Sequence, residues 1–152
     1  MMTMTTNKRK NMMKKKLKTV LLLDDNGATN TIHTKFITKV NFADEILKFQ
    51  CAVKALAYLK SVTPLTPDLI FVDINMPNIN GWEFLRKFEK MSDVEKKNSI
   101  VVLLSTSLST EDREKAGKMK IIDKVRLKPL TVKAVQEIVT DFFLYNEPLK
   151  IA

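Results

Sequence analysis

The stretch Leu69-Ile-Phe-Val-Asp73-Ile-Asn-Met-Pro-Asn-Ile-Asn-Gly81 passes from an apolar run into a loop, and a carboxylate stands at the change. Residues 69–72 are bulky or β-branched, which is typical of a central parallel strand that is covered on both faces. Asp73 would therefore end this strand. Because ligands in open α/β sheets bind beyond the carboxyl ends of the strands, Asp73 is the first candidate functional residue.

The composition indicates one globular domain. The chain has 152 residues, of which 45% are hydrophobic and 28% are charged. The single cysteine, Cys51, excludes an internal disulfide, and we expect it to be a small core residue. The apolar run of residues 21–23 stops at Asp24-Asp25, so it is too short for a signal peptide or a membrane span. These features predict a cytoplasmic protein.

Positive charge is concentrated at the N-terminus. The chain carries a net charge of +9, and residues 1–18 supply +7 of it without an acidic, aromatic, glycine or proline residue. We interpret residues 1–18 as a disordered tail and residues 146–152 as a short C-terminal tail. A solubilising extension is favoured for the basic tail, and an arm that binds nucleic acid or an anionic membrane is the alternative.

Five predicted strands alternate with five predicted helices over residues 19–145. This alternation favours a doubly wound α/β domain with a parallel sheet, and leaves no room for a second domain. In the first helix we expect Ile32, Phe36, Ile37 and Val40 to face the core and His33 to face solvent. The strands are predicted at 19–23, 45–49, 69–73, 100–104 and 121–127, and the helices at 27–40, 53–59, from 82, 109–119 and from 131.

Polar residues follow four of these strands. Asp24 and Asp25 follow the first strand, Asp73 the third, Ser105 the fourth and Lys128 the fifth. Carboxylates that crowd together repel one another unless a cation joins them, and Mg²⁺ accepts one or two carboxylates while it keeps waters and phosphate oxygens. A carboxylate can also accept a phosphoryl group, with an ammonium and a hydroxyl neutralising its charge. The residues therefore suit Mg²⁺-dependent phosphoryl transfer.

Four motifs in this order resemble those of a response regulator receiver domain of the CheY-like type. They are Asp24-Asp25-Asn26, Val72-Asp73-Ile-Asn-Met-Pro-Asn-Ile-Asn-Gly81, Leu104-Ser105-Thr106-Ser107 and Lys128-Pro129-Leu130. The resemblance covers roughly residues 19–145. It implies the flavodoxin-like (βα)5 fold with strand order 2-1-3-4-5, and a stand-alone regulator, because no output or DNA-binding domain follows.

The resemblance also implies roles for the site residues. Asp73 would accept phosphate from a sensor histidine kinase or a phosphotransfer protein, and the signal would pass to an unknown protein target. Ser105 would be the switch hydroxyl, and Lys128, before a cis peptide bond, the phosphate partner. Mg²⁺ would be ligated by Asp25, Asp73 and the main-chain carbonyl of Asn75, with Asp24 acting through water. The chain would not be an enzyme beyond acquiring and hydrolysing its own aspartyl phosphate.

The sequence departs from the family pattern at three places. Val125 stands where an aromatic residue is usual, Cys51-Ala52 replaces a common Asn-Gly pair, and the small turn before the last strand is bulky. None of these changes removes a site residue, but they leave the mode of signal readout open.

Three other functions are less consistent with these residues. A catalytically silent module with the same fold is disfavoured by intact Asp25, Asp73, Ser105 and Lys128. A phosphatase of the haloacid dehalogenase type needs a second aspartate where Asn75 stands. Flavin binding is disfavoured because Asp24-Asp25 would repel its phosphate.

Overall fold

A computed structural model of the chain describes residues 12–14, 17–41, 43–61, 66–76, 80–96 and 98–146. Seven strands and six helices lie within these residues. The strands are β1 (Met12–Lys14), β2 (Leu17–Leu23), β3 (Ala43–Phe49), β4 (Leu69–Asp73), β5 (Ile100–Ser105), β6 (Lys124–Leu127) and β7 (Leu144–Asn146). The helices are α1 (Gly27–Val40), α2 (Ala52–Lys60), α3 (Gly81–Glu89), α4 (Asp93–Lys96), α5 (Thr110–Lys118) and α6 (Val132–Phe143).

The central sheet is parallel and has the order β3-β2-β4-β5-β6. Counted among these five strands alone, the order is 2-1-3-4-5, which confirms the predicted fold. All five residues of β4 are buried at the centre of the sheet, as expected for an apolar parallel strand. β3 lies at one edge, where its charged side chains reach solvent, as predicted.

Alternating side chains of the strands build two hydrophobic cores, one on each face of the sheet. Leu21 and Ile70 point into the core that α2 and α3 cover, with Phe84, Leu85 and Phe88 packed from α3. The other core contains Leu22 and Phe71 and is covered by α1 and α6. This double cover explains why the central strands are apolar without interruption.

Several ends of strands and tails that were predicted from the sequence differ from those in the structure. β2 begins at Leu17, which is fully buried, and β1 pairs antiparallel with β7. The predicted disorder of the N-terminal tail is therefore wrong for residues 12–14, 17 and 18, whereas residues 1–11, 15, 16 and 147–152 lie outside the described part. Asn146, predicted to open the C-terminal tail, lies in β7. The last strand of the central sheet, β6, starts at Lys124 rather than Ile121, and the polar stretch before β5 contains the short helix α4.

Candidate functional site

The parallel register brings the candidate residues to one edge of the sheet. Leu23 is aligned with Val72, Asp73 with Leu104, and Ser105 with Leu127. The residues that end or follow these four strands therefore meet beyond their carboxyl ends. Of the candidate residues at these strand ends, Asp24, Asp25, Asp73 and Lys128 line a cleft of about 400 Å³.

Three carboxylates form the acidic part of this cleft. Asp24 and Asp73 are buried, with 2% and 3% of their surface exposed, and Asp25 is exposed. One oxygen atom from each of the three carboxylates lies within 4.8 Å of the other two. Such a spacing is costly for like charges but matches what a shared cation can hold together.

Local backbone bonds orient the two buried carboxylates. Asp24 Oδ1 accepts the N–H of Asn26 at 2.9 Å, and Asp73 Oδ1 accepts the N–H of Asn75 at 3.1 Å. Each bond spans two residues, so the turn that follows each strand fixes its own aspartate. Asn26 also caps α1 through its side chain, which accepts the N–H of Thr29 at 3.1 Å.

Lys128 supplies the positive charge at the site. Its Nζ pairs with Oδ2 of Asp24 and lies 3.2 Å from Oδ2 of Asp73. The backbone N–H of Lys128 donates to Ser105 O at 2.7 Å, which continues the pairing of β5 with β6. The Lys128-Pro129 peptide bond is cis, as predicted. The ammonium thus links the ends of β2 and β4 from the loop after β6.

Burial and ion pairing shift the proton affinities of two of these groups. Burial raises the pKa of Asp73, and the Asp24 charge adds to that rise, while the Asn75 N–H and Lys128 oppose it. Burial lowers the pKa of Lys128, but its ion pairs with Asp24 and Asp73 outweigh this effect and leave the pKa above its usual value. Lys128 therefore stays protonated beside the carboxylates at neutral pH.

The carboxylates fit a divalent cation by their chemistry. Hard oxygen ligands are what Mg²⁺ prefers, and the exposed side of the cleft leaves room for water. Asn75 borders the same cleft. Because Lys128 already partners Asp24, the carboxylates without that strong pairing are Asp25 and, in part, Asp73.

Ser105 is fully buried at the end of β5, but its hydroxyl is directed toward its own loop. Oγ donates to Ser107 O at 2.5 Å and accepts the N–H of Ser107 at 3.3 Å. Both bonds lie within the loop between β5 and α5. The hydroxyl could reach a ligand in the cleft only by giving up the Ser107 carbonyl.

Residues 20–140 match the family model of the response regulator receiver domain. The chain belongs to this family. Receiver domains are phosphoacceptors of two-component signalling, bind Mg²⁺ at an acidic cluster, and interact with histidine kinases or phosphotransfer proteins.

Solved structures and curated proteins agree with this assignment. A two component response regulator from Cytophaga hutchinsonii is 34% identical, with a TM-score of 0.76 over 83% of this chain and 96% of that chain. A receiver protein from Dyadobacter fermentans, 22% identical with a TM-score of 0.73 over 82% of this chain and 96% of that chain, shares the fold. Hybrid signal transduction histidine kinase D of Dictyostelium discoideum is 32% identical over 102 residues, which are 65% of this chain.

The matched segment is a small part of the curated relatives. It spans 6% of histidine kinase D and 9% of a second Dictyostelium discoideum hybrid kinase. The receiver domain here thus resembles one module of those much longer chains. Within the described residues, no helix is both long and apolar enough to cross a bilayer.

The receiver domain brings together every site residue that the sequence singled out: Asp24, Asp25, Asp73, Asn75 and Lys128 line the cleft, and Ser105 lies at the end of the neighbouring strand. Thr29 and Thr106 also line it and were missed. Thr29 follows the helix cap Asn26 by three residues, which puts the two on the same side of α1. Thr106 directly follows the predicted switch residue Ser105. Both positions could therefore have been predicted to lie near the cleft.

Three other expectations, for Cys51, His33 and Ile32, were wrong. Cys51 is exposed, because it precedes α2 as the residue at its N-cap. His33 is buried, with 1% of its surface exposed, and its Nε2 accepts the N–H of Leu130 at 3.2 Å. Ile32, predicted to face the core, is 47% exposed. The inward face of α1 is therefore formed by Asn30, His33 and Ile37.

Proposed function

We propose that this receiver domain is a phosphorylation-dependent switch in which Asp73 accepts a phosphoryl group from a histidine kinase or phosphotransfer protein. The observation that carries the proposal is the position of Asp73, buried at the end of the central strand, within reach of Lys128 and beside Asp24 and Asp25. A helix cap or turn residue would not need this arrangement.

In the proposed reaction, a carboxylate oxygen of Asp73 attacks phosphorus while the bond from phosphorus to the donor imidazole nitrogen breaks. The electron pair of that bond leaves with the imidazole, and an acyl phosphate forms on Asp73. Lys128 moves its hydrogen bond from Asp73 Oδ2 to a phosphoryl oxygen and stays charged throughout. Electrostatic stabilisation of the three phosphoryl oxygens supplies most of the catalysis.

We propose that Mg²⁺ is held by Asp25, Asp73 and the main-chain carbonyl of Asn75, with Asp24 acting through water. When bound, the cation neutralises charge on the carboxylates and on the incoming phosphoryl group. Asp24 is the carboxylate best suited to the outer position, because Lys128 and the Asn26 N–H already occupy its two oxygens.

Ser105 is the proposed switch residue. Phosphorylation adds roughly −1.5 to −2 charge and new acceptor oxygens at the end of β4. The Ser105 hydroxyl then exchanges the Ser107 carbonyl for a phosphoryl oxygen and draws the loop after β5 toward the cleft. The altered surface around α5 is what we propose the downstream protein recognises.

Incubation with acetyl phosphate and Mg²⁺, followed by intact-mass measurement, tests the assignment. Wild type should gain one acid-stable, base-labile phosphoryl mass, and Asp73→Asn should gain none. Asp68→Asn is the matched control, because Asp68 binds the backbone N–H groups of Lys18 and Thr19 outside the cleft. Equal phosphorylation of wild type and Asp73→Asn would refute the proposed acceptor. Phosphorylation of wild type that continues after EDTA removes Mg²⁺ would refute the proposed role of the cation.

A further inference from the structure

The inward face of α1 is polar where it approaches the functional site. Asn30 and His33 are almost fully buried, with 2% and 1% of their surfaces exposed. Asn30 Nδ2 donates to the carbonyl of Asp24 at 3.0 Å and to that of Phe49 at 3.3 Å. Buried polar side chains are retained where they satisfy other buried polar groups, so this face of α1 holds the backbone beneath the site.

His33 meets a different part of the backbone from Asn30. Its Nε2 accepts the N–H of Leu130 at 3.2 Å in a fully buried contact between α1 and the loop after β6. Since Nε2 is the acceptor, the imidazole must be neutral with its proton on Nδ1. Burial lowers the pKa of His33, and the Lys128 charge adds to this while the Asp24 charge opposes it, so the neutral form is favoured.

This contact fixes one end of the segment that carries the site lysine. In the segment 128–130, the N–H of Lys128 donates to Ser105 O, Pro129 has no N–H, and the N–H of Leu130 donates to His33. The two bonds hold the segment on both sides of Lys128, whose ammonium must reach Asp24 and Asp73 together. The Leu130 side chain is fully buried, so packing fixes its depth while the His33 bond fixes the orientation of its peptide plane.

We propose that His33 is a positioning residue for Lys128: by accepting the Leu130 N–H it holds the loop after β6 so that the ammonium lies between Asp24 and Asp73. This inference rests on the proposed function of Lys128 in phosphoryl transfer. His33 itself touches no reacting group. His33 acts on Lys128 through the backbone of Pro129 and Leu130. A positioning role, unlike a purely structural one, predicts that substitution of His33 changes the surroundings of the Lys128 ammonium.

Three substitutions of His33 separate positioning from general packing. His33→Leu keeps a side chain of similar size in the core and removes the nitrogen that accepts the Leu130 N–H. His33→Gln places an amide oxygen at a reach similar to Nε2, whereas the shorter His33→Asn buries the same amide without that reach. Ile37→Ala is the matched control, because Ile37 is equally buried one turn further along α1 and makes no contact with segment 128–130 through a polar atom.

Three readouts are measured on each variant of the 152-residue chain. The first is the hydrogen exchange of the Leu130 amide, and the second is the side-chain ammonium NMR signal of Lys128, assigned by its loss in Lys128→Arg. The third is the initial rate of phosphorylation by acetyl phosphate with Mg²⁺. The first two are recorded without phosphorylation, so they decide the inference even if Asp73 accepts no phosphoryl group.

We expect His33→Leu and His33→Asn to lose Leu130 protection, to broaden the Lys128 signal and to slow phosphorylation about tenfold, as a small displacement of a reacting group does. His33→Gln should restore all three, and Ile37→Ala should melt earlier yet keep the Lys128 signal and the rate. A His33→Leu protein with an unchanged Lys128 signal would overturn the inference. So would an Ile37→Ala protein that loses the signal to the same extent.

Discussion

Gly81 lies in close backbone contact with Asp73 and Ile74. Its N–H donates to Ile74 O at 3.2 Å. A Cβ at this position would lie 2.4 Å from Asp73 O and 2.6 Å from Ile74 Cα. Both are backbone atoms, so neither can move aside as the end of a flexible side chain could. The start of α3 therefore packs directly on the backbone that aims Asp73, and only glycine permits this approach.

Gly81→Ala should consequently displace the Asp73–Ile74 backbone. We expect a loss of about 1–3 kcal/mol in the free energy of unfolding, as overpacking typically causes, together with slower phosphorylation. Chemical denaturation and the acetyl phosphate assay measure the two effects. Gly117→Ala is the control, because nothing lies within 4 Å of its added Cβ and the helix α5 should gain stability. Similar behaviour of the two variants would contradict the packing argument.

Single residues also show how far the sequence could be interpreted. Asp24, Asp73 and Lys128 were predictable because each stands where an apolar run ends, and parallel strands bring such ends together. The burial of His33 was not predictable, because the apolar residues of α1 indicated a core-facing side that contains Ile32. Ile32 is in fact 47% exposed. The true face is partly polar because Asn30 and His33 bind buried backbone groups there. Hydrophobic periodicity does not detect such a face.

At the scale of elements, α5 is held to the core by few buried side chains. Of its nine residues, all of them described, only Ala116 is buried. Ser109 caps the helix by accepting the Asp112 N–H at 3.0 Å, and Lys115 Nζ lies 4.8 Å from the centre of the Trp82 ring. Few buried apolar contacts mean a small cost for local displacement. A shift of the Ser105 loop can therefore be passed to α5.

We predict that beryllofluoride, which mimics a phosphoryl group, changes amide exchange mainly between Ser105 and Lys118. Little change is expected at Val125, because its side chain is too small to fill space vacated by Ser105. Ser105→Ala should reduce the change in the loop, whereas Ser99→Ala is a control at a hydroxyl that binds Pro67 O outside the cleft. Changes confined to α1, with none from Ser105 to Lys118, would show that α5 does not carry the readout.

The limits of the elements were harder to predict than their existence. Long apolar strands such as β4 and β5 were placed within a residue or two. β6 was extended too far toward the N-terminus because Ile121 and Ile122 are apolar, yet they precede the strand and pack against the core that α2 and α3 cover. Apolar residues of a turn and of a strand cannot be distinguished by hydrophobicity when both contact the same core.

For the whole molecule, the charge on buried Asp73 opposes folding in the absence of a cation. Asp73 has a pKa above its usual value of 3.8 because burial disfavours its charge. A raised carboxyl pKa means that the folded chain binds protons more readily than the unfolded chain as pH falls through that pKa. Ionised Asp73 therefore lowers stability at neutral pH, and this loss disappears as pH falls toward 3.8.

Asp73→Asn should accordingly melt a few degrees higher than wild type at pH 7 without Mg²⁺, and the difference should shrink in acid. Mg²⁺ that binds only the folded chain should stabilise wild type by about 1.4 kcal/mol at tenfold its Kd. Asp25→Asn and Asp73→Asn should lose most of that gain, whereas Asp68→Asn should keep it. Calorimetry at several Mg²⁺ concentrations measures these shifts. An undiminished gain in Asp25→Asn would exclude Asp25 as a ligand, since a cation that it does not contact would stabilise both proteins equally.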